Sequence, residues 1–198
     1  MFLPFRKTFL YSSFFLFLMH ILTALKGLEK ESVQRGIPII GSIKGAWLLK
    51  QVQKYKPKKI LELGTANGYS GCILASESAE LITIEVNPNL AEEAEDQFEE
   101  MNLKVKVVVG DGVQQVKEFA GKKAYQGHFD LVFVDFAKHL YFAVLEDGLK
   151  LLKKGGLLIA DNINMRGCAD FKEAILKDKR FKTELVDVGD GMSLSVKK

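Results

Sequence analysis

From residue 42 onward the apolar positions alternate between a helical period and short continuous runs. Residues 44–55 place Trp47, Leu48 and Val52 on one face, which predicts an amphipathic helix ended by Pro57. Residues 59–63 form a short apolar run, the first expected strand, closed by the turn Gly64-Thr65-Ala66-Asn67-Gly68 and followed by a helix over about 70–76. Residues 81–85 predict a second strand. Asn87-Pro88-Asn89 opens a long acidic helix to residue 101, with Pro88 in its first turn. Residues 105–109 make a third strand, and Gly110-Asp111-Gly112 turns into the next helix. Residues 129–135 are apolar almost throughout before a final acid, as suits a parallel strand covered on both faces. A helix over 144–152, capped by Lys154-Gly155-Gly156, leads to a fifth strand over 157–161 and a helix over 169–177. Residues 181–188 and 192–196 then read as a hairpin around Gly189-Asp190-Gly191.

Five βα units and a hairpin predict an α/β fold: a doubly wound, mostly parallel seven-stranded sheet of Rossmann-like type, ending in an antiparallel hairpin. In such sheets the ligand sits outside the carboxyl ends of the strands, near the switch in strand order. Each chemically suggestive group in this chain falls at one of those ends.

The 198 residues, 47% of them apolar, suit one well-packed domain. The sequence divides into an apolar, basic helical segment over 1–36 and a catalytic-type domain over 37–198. The net charge of +3 is uneven, +7 over 1–57 and −4 over the remainder. Residues 8–25 lack formal charge and reach the lower edge of a membrane-spanning length, with Arg6 and Lys7 before them. Docking onto the domain, pairing in a homodimer, membrane contact and a cleaved leader are the roles open to this segment. Met19 is an alternative start, since the chain from there onward already spells a domain. Cys72 and Cys168 are far apart and show no metal-type spacing, which predicts two free buried thiols in a reducing compartment, hence a cytoplasmic protein.

The turn after the first strand has the spacing Gly-x-x-x-Gly (Gly64, Gly68), unlike the Gly-x-Gly-x-x-Gly of dinucleotide binders. Glu62 precedes it, poorly placed for a phosphate and better placed for an ammonium. Glu85 closes the second strand, where an acid can accept both hydrogen bonds of a ribose diol. Asp111-Gly112-Val113 closes the third and is expected to flank an adenine ring. The ordered set points to a nucleoside cofactor. Asp135 closes the fourth strand and Asp161-Asn162 the fifth. Two carboxylates and an amide are oxygen donors suited to a hard cation, Mg²⁺ first, with Mn²⁺ and Ca²⁺ not separable from it.

The segments ILELGTANGYS, ITIEVNP, VVVGDG, FDLVFVDFAK and GGLLIADNI, in this order, resemble the small metal-dependent O-methyltransferases of the catechol and caffeoyl-CoA type, over roughly residue 37 to the C-terminus. The resemblance implies an S-adenosylmethionine-dependent enzyme. It implies that Gly64, Ser70 and Glu85 hold the methionine carboxylate and ribose, that Gly112 and Val113 line the adenine pocket, and that Asp135 serves cofactor and metal sides together. Asp135, Asp161 and Asn162 would hold a divalent metal that chelates two neighbouring substrate hydroxyls, and Lys138 would be the general base. His139 and Tyr141 are weaker candidates for substrate contact. The expected acceptor is a small hydroxylated molecule. A tRNA nucleoside is an alternative acceptor, supported by the basic N-terminal part but by no Lys/Arg stripe with interleaved aromatics. A membrane-associated methyltransferase and a non-catalytic binding protein complete the alternatives.

Overall fold

The computed structural model describes residues 21–198. Its strands are β1 (Lys59–Leu63), β2 (Glu80–Glu85), β3 (Val105–Val109), β4 (Phe129–Val134), β5 (Leu152–Ala160), β6 (Phe181–Val186) and β7 (Met192–Lys197). Its helices are α1 (Lys26–Arg35), α2 (Gly41–Tyr55), α3 (Tyr69–Ala75), α4 (Pro88–Glu100), α5 (Gly112–Gly121), α6 (Leu145–Leu151) and α7 (Ala169–Lys177). The strands form one seven-stranded sheet in the order β3-β2-β1-β4-β5-β7-β6. The first five are parallel, and β7 runs antiparallel between β5 and β6. The α/β sheet with a terminal antiparallel hairpin is the architecture expected from the sequence.

The period-2 alternation of each strand divides the core between the two faces. Ile60, Leu131, Phe133, Leu157 and Ile159 join Leu48, Leu49, Val52, Ile73 and Phe98 on one side. Leu61, Leu63, Val132, Val134 and Leu158 join Phe119, Tyr141, Leu149 and Phe171 on the other. Each fully buried Leu or Phe contributes about 1.5–3 kcal/mol. Ile21 and Leu25 belong to the first cluster, so the chain just before α1 is packed on the sheet. Glu29 of α1 accepts a hydrogen bond from the Ser42 N–H (2.8 Å), and the Ser32 hydroxyl accepts one from Asn67 Nδ2 (2.8 Å).

Several boundaries differ from the sequence reading, each for a physical reason. α2 starts at Gly41, and its buried face includes Lys44 and Gln53, whereas Trp47 is half-buried. It ends on Lys56, whose left-handed backbone sends its N–H to the Val52 carbonyl. Lys154-Gly155-Gly156 does not cap α6. Leu152 is already extended and pairs with Phe129, and the register then shifts so that Leu131 meets Leu157. The glycines lie in that irregular stretch of β5, with Gly155 at positive φ. Pro88 at the first position of α4, behind Asn87 whose Oδ1 accepts the Asn89 N–H at 3.0 Å, is as expected.

No helix among the described residues is long and apolar enough to cross a membrane. Most of the uncharged run over 8–25 lies outside the described residues.

Candidate active site

Strand order reverses at β1, which has β2 on one side and β4 on the other. The crevice beyond their carboxyl ends is the ligand position such a sheet provides. Gly64 ties its walls together. Its N–H donates to the Ile84 carbonyl of β2 (3.0 Å), while the Asp135 N–H after β4 donates to the Leu63 carbonyl of β1 (2.9 Å). Gly64 has φ +94°, and a Cβ built there would lie 2.0 Å from the Asp135 carbonyl oxygen. No residue with a side chain fits without moving backbone.

A cavity of about 440 Å³ opens over this point. Gly64, Ser70, Glu85, Asp135, Lys138, Asp161 and Asn162 all line it, so seven of the residues singled out from sequence converge on one site. Its size falls in the usual range for a small-molecule or cofactor site.

On the β2 side, Glu85 is 8% exposed. Its Oε2 accepts the Ala66 N–H and its Oε1 the Asn87 N–H, both at 2.9 Å. The carboxylate therefore braces the glycine turn and still has lone pairs to offer a diol. Glu62 is placed differently from the expectation. Its side chain turns beneath the turn into the interior and does not line the cavity. The Ser70 hydroxyl donates to Glu62 Oε1 (2.6 Å) and the Thr83 hydroxyl to Oε2 (2.7 Å). Burial pushes the Glu62 carboxyl from its ordinary value near 4.5 up to about 8, against the pull of those two hydroxyls. It thus orients Ser70 rather than meeting a ligand ammonium.

This buried carboxyl makes stability depend on pH. The folded chain holds the Glu62 proton up to pH about 8, whereas the unfolded chain releases it near 4.5. The stability this gives is fully present below pH 4.5 and is lost as pH rises through 8. Glu62→Gln cannot ionise, so its stability relative to wild type should improve by roughly 2–4 kcal/mol between acid and alkaline conditions. Urea unfolding at several pH values checks this, and parallel pH profiles for the two proteins would count against it.

On the β4–β5 side, Val134 pairs with Ala160, so the next residues, Asp135 and Asp161, emerge side by side. Lys138, in the 3-10 turn Lys138–Leu140, places Nζ 2.6 Å from Asp135 Oδ1. Asp161 is 2% exposed, and its Oδ1 lies 2.7 Å from Lys44 Nζ and accepts the Asn162 N–H at 2.7 Å. Burial and the neighbouring Asp135 carboxylate raise the Asp161 pKa, with Lys44 opposing them. Burial works against the Lys44 charge, but hydrogen bonds to Asp161 and Asp190 outweigh it and hold the ammonium above its ordinary range. Asn162 has φ +54° and donates from Nδ2 to Asp190 Oδ2 (2.5 Å).

Among the described residues, the second oxygen of Asp135, that of Asp161 and the amide oxygen of Asn162 take no hydrogen bond. Three such oxygens on one wall fit a hard divalent cation. Among the described residues no group of three or more His, Cys, Asp or Glu is gathered as a metal cage.

Gly68, Gly112 and Val113 do not line the cavity. Gly112 instead backs the Phe136 ring, which does: a Cβ on Gly112 would lie 3.3 Å from it. Asp111 caps α5 by accepting the Gln114 N–H (2.8 Å). Neither His139 nor Tyr141 lines the cavity. Tyr141 is fully buried, stacked on Phe136 with centroids 5.6 Å apart and edge-on to Phe171. Cys72 and Cys168 are free and buried. Lys44 and Asp190 are the groups that sequence reasoning missed. A lysine four residues before Leu48 on a buried helical stripe was a readable signal that an acid must face it. Asp190 reads only as turn chemistry in Gly189-Asp190-Gly191.

Comparison with known proteins bears on this arrangement. The O-methyltransferase family profile matches residues 20–198. The chain is 34% identical to a catechol O-methyltransferase B of Danio rerio over 174 residues, covering 79% of this chain and 64% of the relative. It is 36% identical to a catechol O-methyltransferase of Sus scrofa, covering 72% of this chain and 80% of the relative. The chain thus spans less than two thirds of the length of the Danio rerio relative, and the same share, 64%, of one from Mus musculus. The crystal structure of an O-methyltransferase from Bacillus cereus in complex with SAH is similar at 25% identity and a TM-score of 0.78, covering 90% of this chain and 91% of that one.

Proposed function

This chain belongs to the O-methyltransferase family, and on that footing we propose that it transfers the methyl group of S-adenosylmethionine to a hydroxyl oxygen of a small acceptor carrying two neighbouring hydroxyls, with a divalent metal, Mg²⁺, assisting. The observation that carries the reading is the convergence of Gly64, Ser70 and Glu85 with Asp135, Lys138, Asp161 and Asn162 on one cavity. The Bacillus cereus neighbour with SAH supports the cofactor, and the catechol O-methyltransferase relatives support the acceptor class.

Glu85 accepts hydrogen bonds from the ribose diol while its backbone contacts keep the turn in place. Ser70, whose hydroxyl otherwise donates to Glu62, turns that O–H to the methionine carboxylate when the cofactor is bound. Asp135, Asp161 and Asn162 would hold the metal through the three oxygens that take no hydrogen bond among the described residues. A divalent cation held there would supply Lewis acidity that eases loss of the acceptor's hydroxyl proton. Lys138 takes the hydroxyl proton at Nζ, for which its ammonium must first give up its proton and its bond to Asp135. As the new oxygen–carbon bond forms, the carbon–sulfur bond breaks and sulfur keeps the electron pair. Holding acceptor and donor in line contributes much of the acceleration.

The test is calorimetric titration of S-adenosylmethionine, then methyl transfer to a catechol with Mg²⁺ and with chelator. Binding with turnover that chelator abolishes is expected. Turnover indifferent to chelator would remove the metal from the reading, and absence of S-adenosylmethionine binding would overturn it.

A further inference from the structure

Lys44 has no role in the reaction proposed above, yet it enters the metal end of the site. Its side chain is 9% exposed, and Nζ lies 2.7 Å from Asp161 Oδ1 while also pairing with Asp190 Oδ1. Burying a lysine so fully costs free energy unless its charge is met. The placement is enforced from two sides. The stem leaves the buried face of α2. The β6–β7 loop packs against it, since a Cβ on Gly189 would lie 2.8 Å from Lys44 Cε. That loop is itself fastened to the chain after β5, by the Ile163 N–H donating to the Gly191 carbonyl (3.0 Å) and the Asn164 N–H to the Asp190 carbonyl (3.1 Å). Asp190 also draws in Asn162 Nδ2 at 2.5 Å.

We propose that Lys44 is a tethered counter-cation that competes with the divalent metal for Asp161 and so sets the metal affinity of the site. This rests on the metal-assisted reading above. With no metal bound, Lys44 pairs with Asp161 and Asp190 together and offsets one of their two charges. With metal bound, ammonium and divalent cation face one carboxylate, and like charges a few ångströms apart disfavour each other. Lys44 thus lowers metal affinity, and Asp190 determines how far, by holding Lys44 in place and Asn162 turned toward the loop.

The test is Mn²⁺ binding to the full chain without S-adenosylmethionine, followed by electron paramagnetic resonance of free Mn²⁺ and by calorimetry. Lys44→Met should bind Mn²⁺ about tenfold or more tightly than wild type. Lys44→Gln, which keeps hydrogen-bond donors without the charge, should do the same and serves if the methionine variant fails to fold. Lys44→Arg should stay close to wild type. Equal or weaker binding in folded Lys44→Gln would overturn the competition while leaving the metal-assisted reading intact. Tight binding only in the uncharged variants would support it in its strongest form. No Mn²⁺ binding in any protein, with S-adenosylmethionine still binding, would overturn both the competition and the metal.

Discussion

Replacing Lys138 with methionine should lower kcat by roughly 10²–10⁴, the usual contribution of a positioned general base, while S-adenosylmethionine binding stays within about twofold of wild type. The variant with most to say is Lys138→Arg. A guanidinium can pair with Asp135 as the ammonium does, but it does not release a proton in a protein. If Lys138 removes the hydroxyl proton, arginine should be nearly as slow as methionine. If arginine restores most of the rate, Lys138 acts through its charge and the base lies elsewhere. Because the Lys138–Asp135 pair is only partly buried, both substitutions should cost no more than about 1 kcal/mol of stability, so slow turnover in single-turnover assays would not reflect unfolding.

The second large effect is expected at Gly64. Gly64→Ala combines a positive φ with a Cβ placed 2.0 Å from the backbone carbonyl of Asp135, just past the end of β4. The conformation alone costs about 1 kcal/mol. The collision can be relieved only by separating the turn from Asp135, and the total should reach about 3–5 kcal/mol. The shift would also carry Asp135 away from Asp161 and disturb both halves of the cavity. Gly112→Ala is the control. Its Cβ would meet only the Phe136 ring, at 3.3 Å, and a ring can tilt where a carbonyl cannot. It should cost less than about 1 kcal/mol. Denaturant midpoints for the two variants, with S-adenosylmethionine titrations, measure the contrast. A small loss for Gly64→Ala would mean that the turn relaxes more freely than its hydrogen bonds suggest.

What could be read in one dimension was whatever depends on near neighbours. The five βα units came from apolar runs and punctuating turns, and Asp135, Asp161 and Asn162 were found because strand ends are recognisable where apolar runs stop. The misreadings all concern contacts between distant segments. Leu-Leu-Lys-Lys-Gly-Gly looks like a helix with its cap, but pairing of Leu152 with Phe129 pulls the chain into the sheet before the glycines arrive. Glu62 stands at a strand end, yet strand alternation sends its carboxyl to the interior, where Ser70 and Thr83 wait for it. Lys44 and Asp190 are 146 positions apart in the sequence and became one feature only when the β6–β7 loop closed over α2. Burial of a lysine was legible; the identity of its partners was not.

The placement of β7 between β5 and β6 bears on how the protein comes into being during translation. β6 is synthesised before β7 yet touches the sheet only through it, with Phe181–Val186 pairing to Met192–Lys197 and to no other strand. Until residues 192–197 have been made, β5 presents a bare edge, the kind of surface that recruits foreign strands and chaperones. The turn at Gly64 and the brace at Glu85 need only segments already made by then. Asp190, and with it the clasp on Lys44 and Asn162, takes its place only with the hairpin. The nascent domain is therefore able to assemble the glycine-turn side of its cavity before the acidic wall is complete.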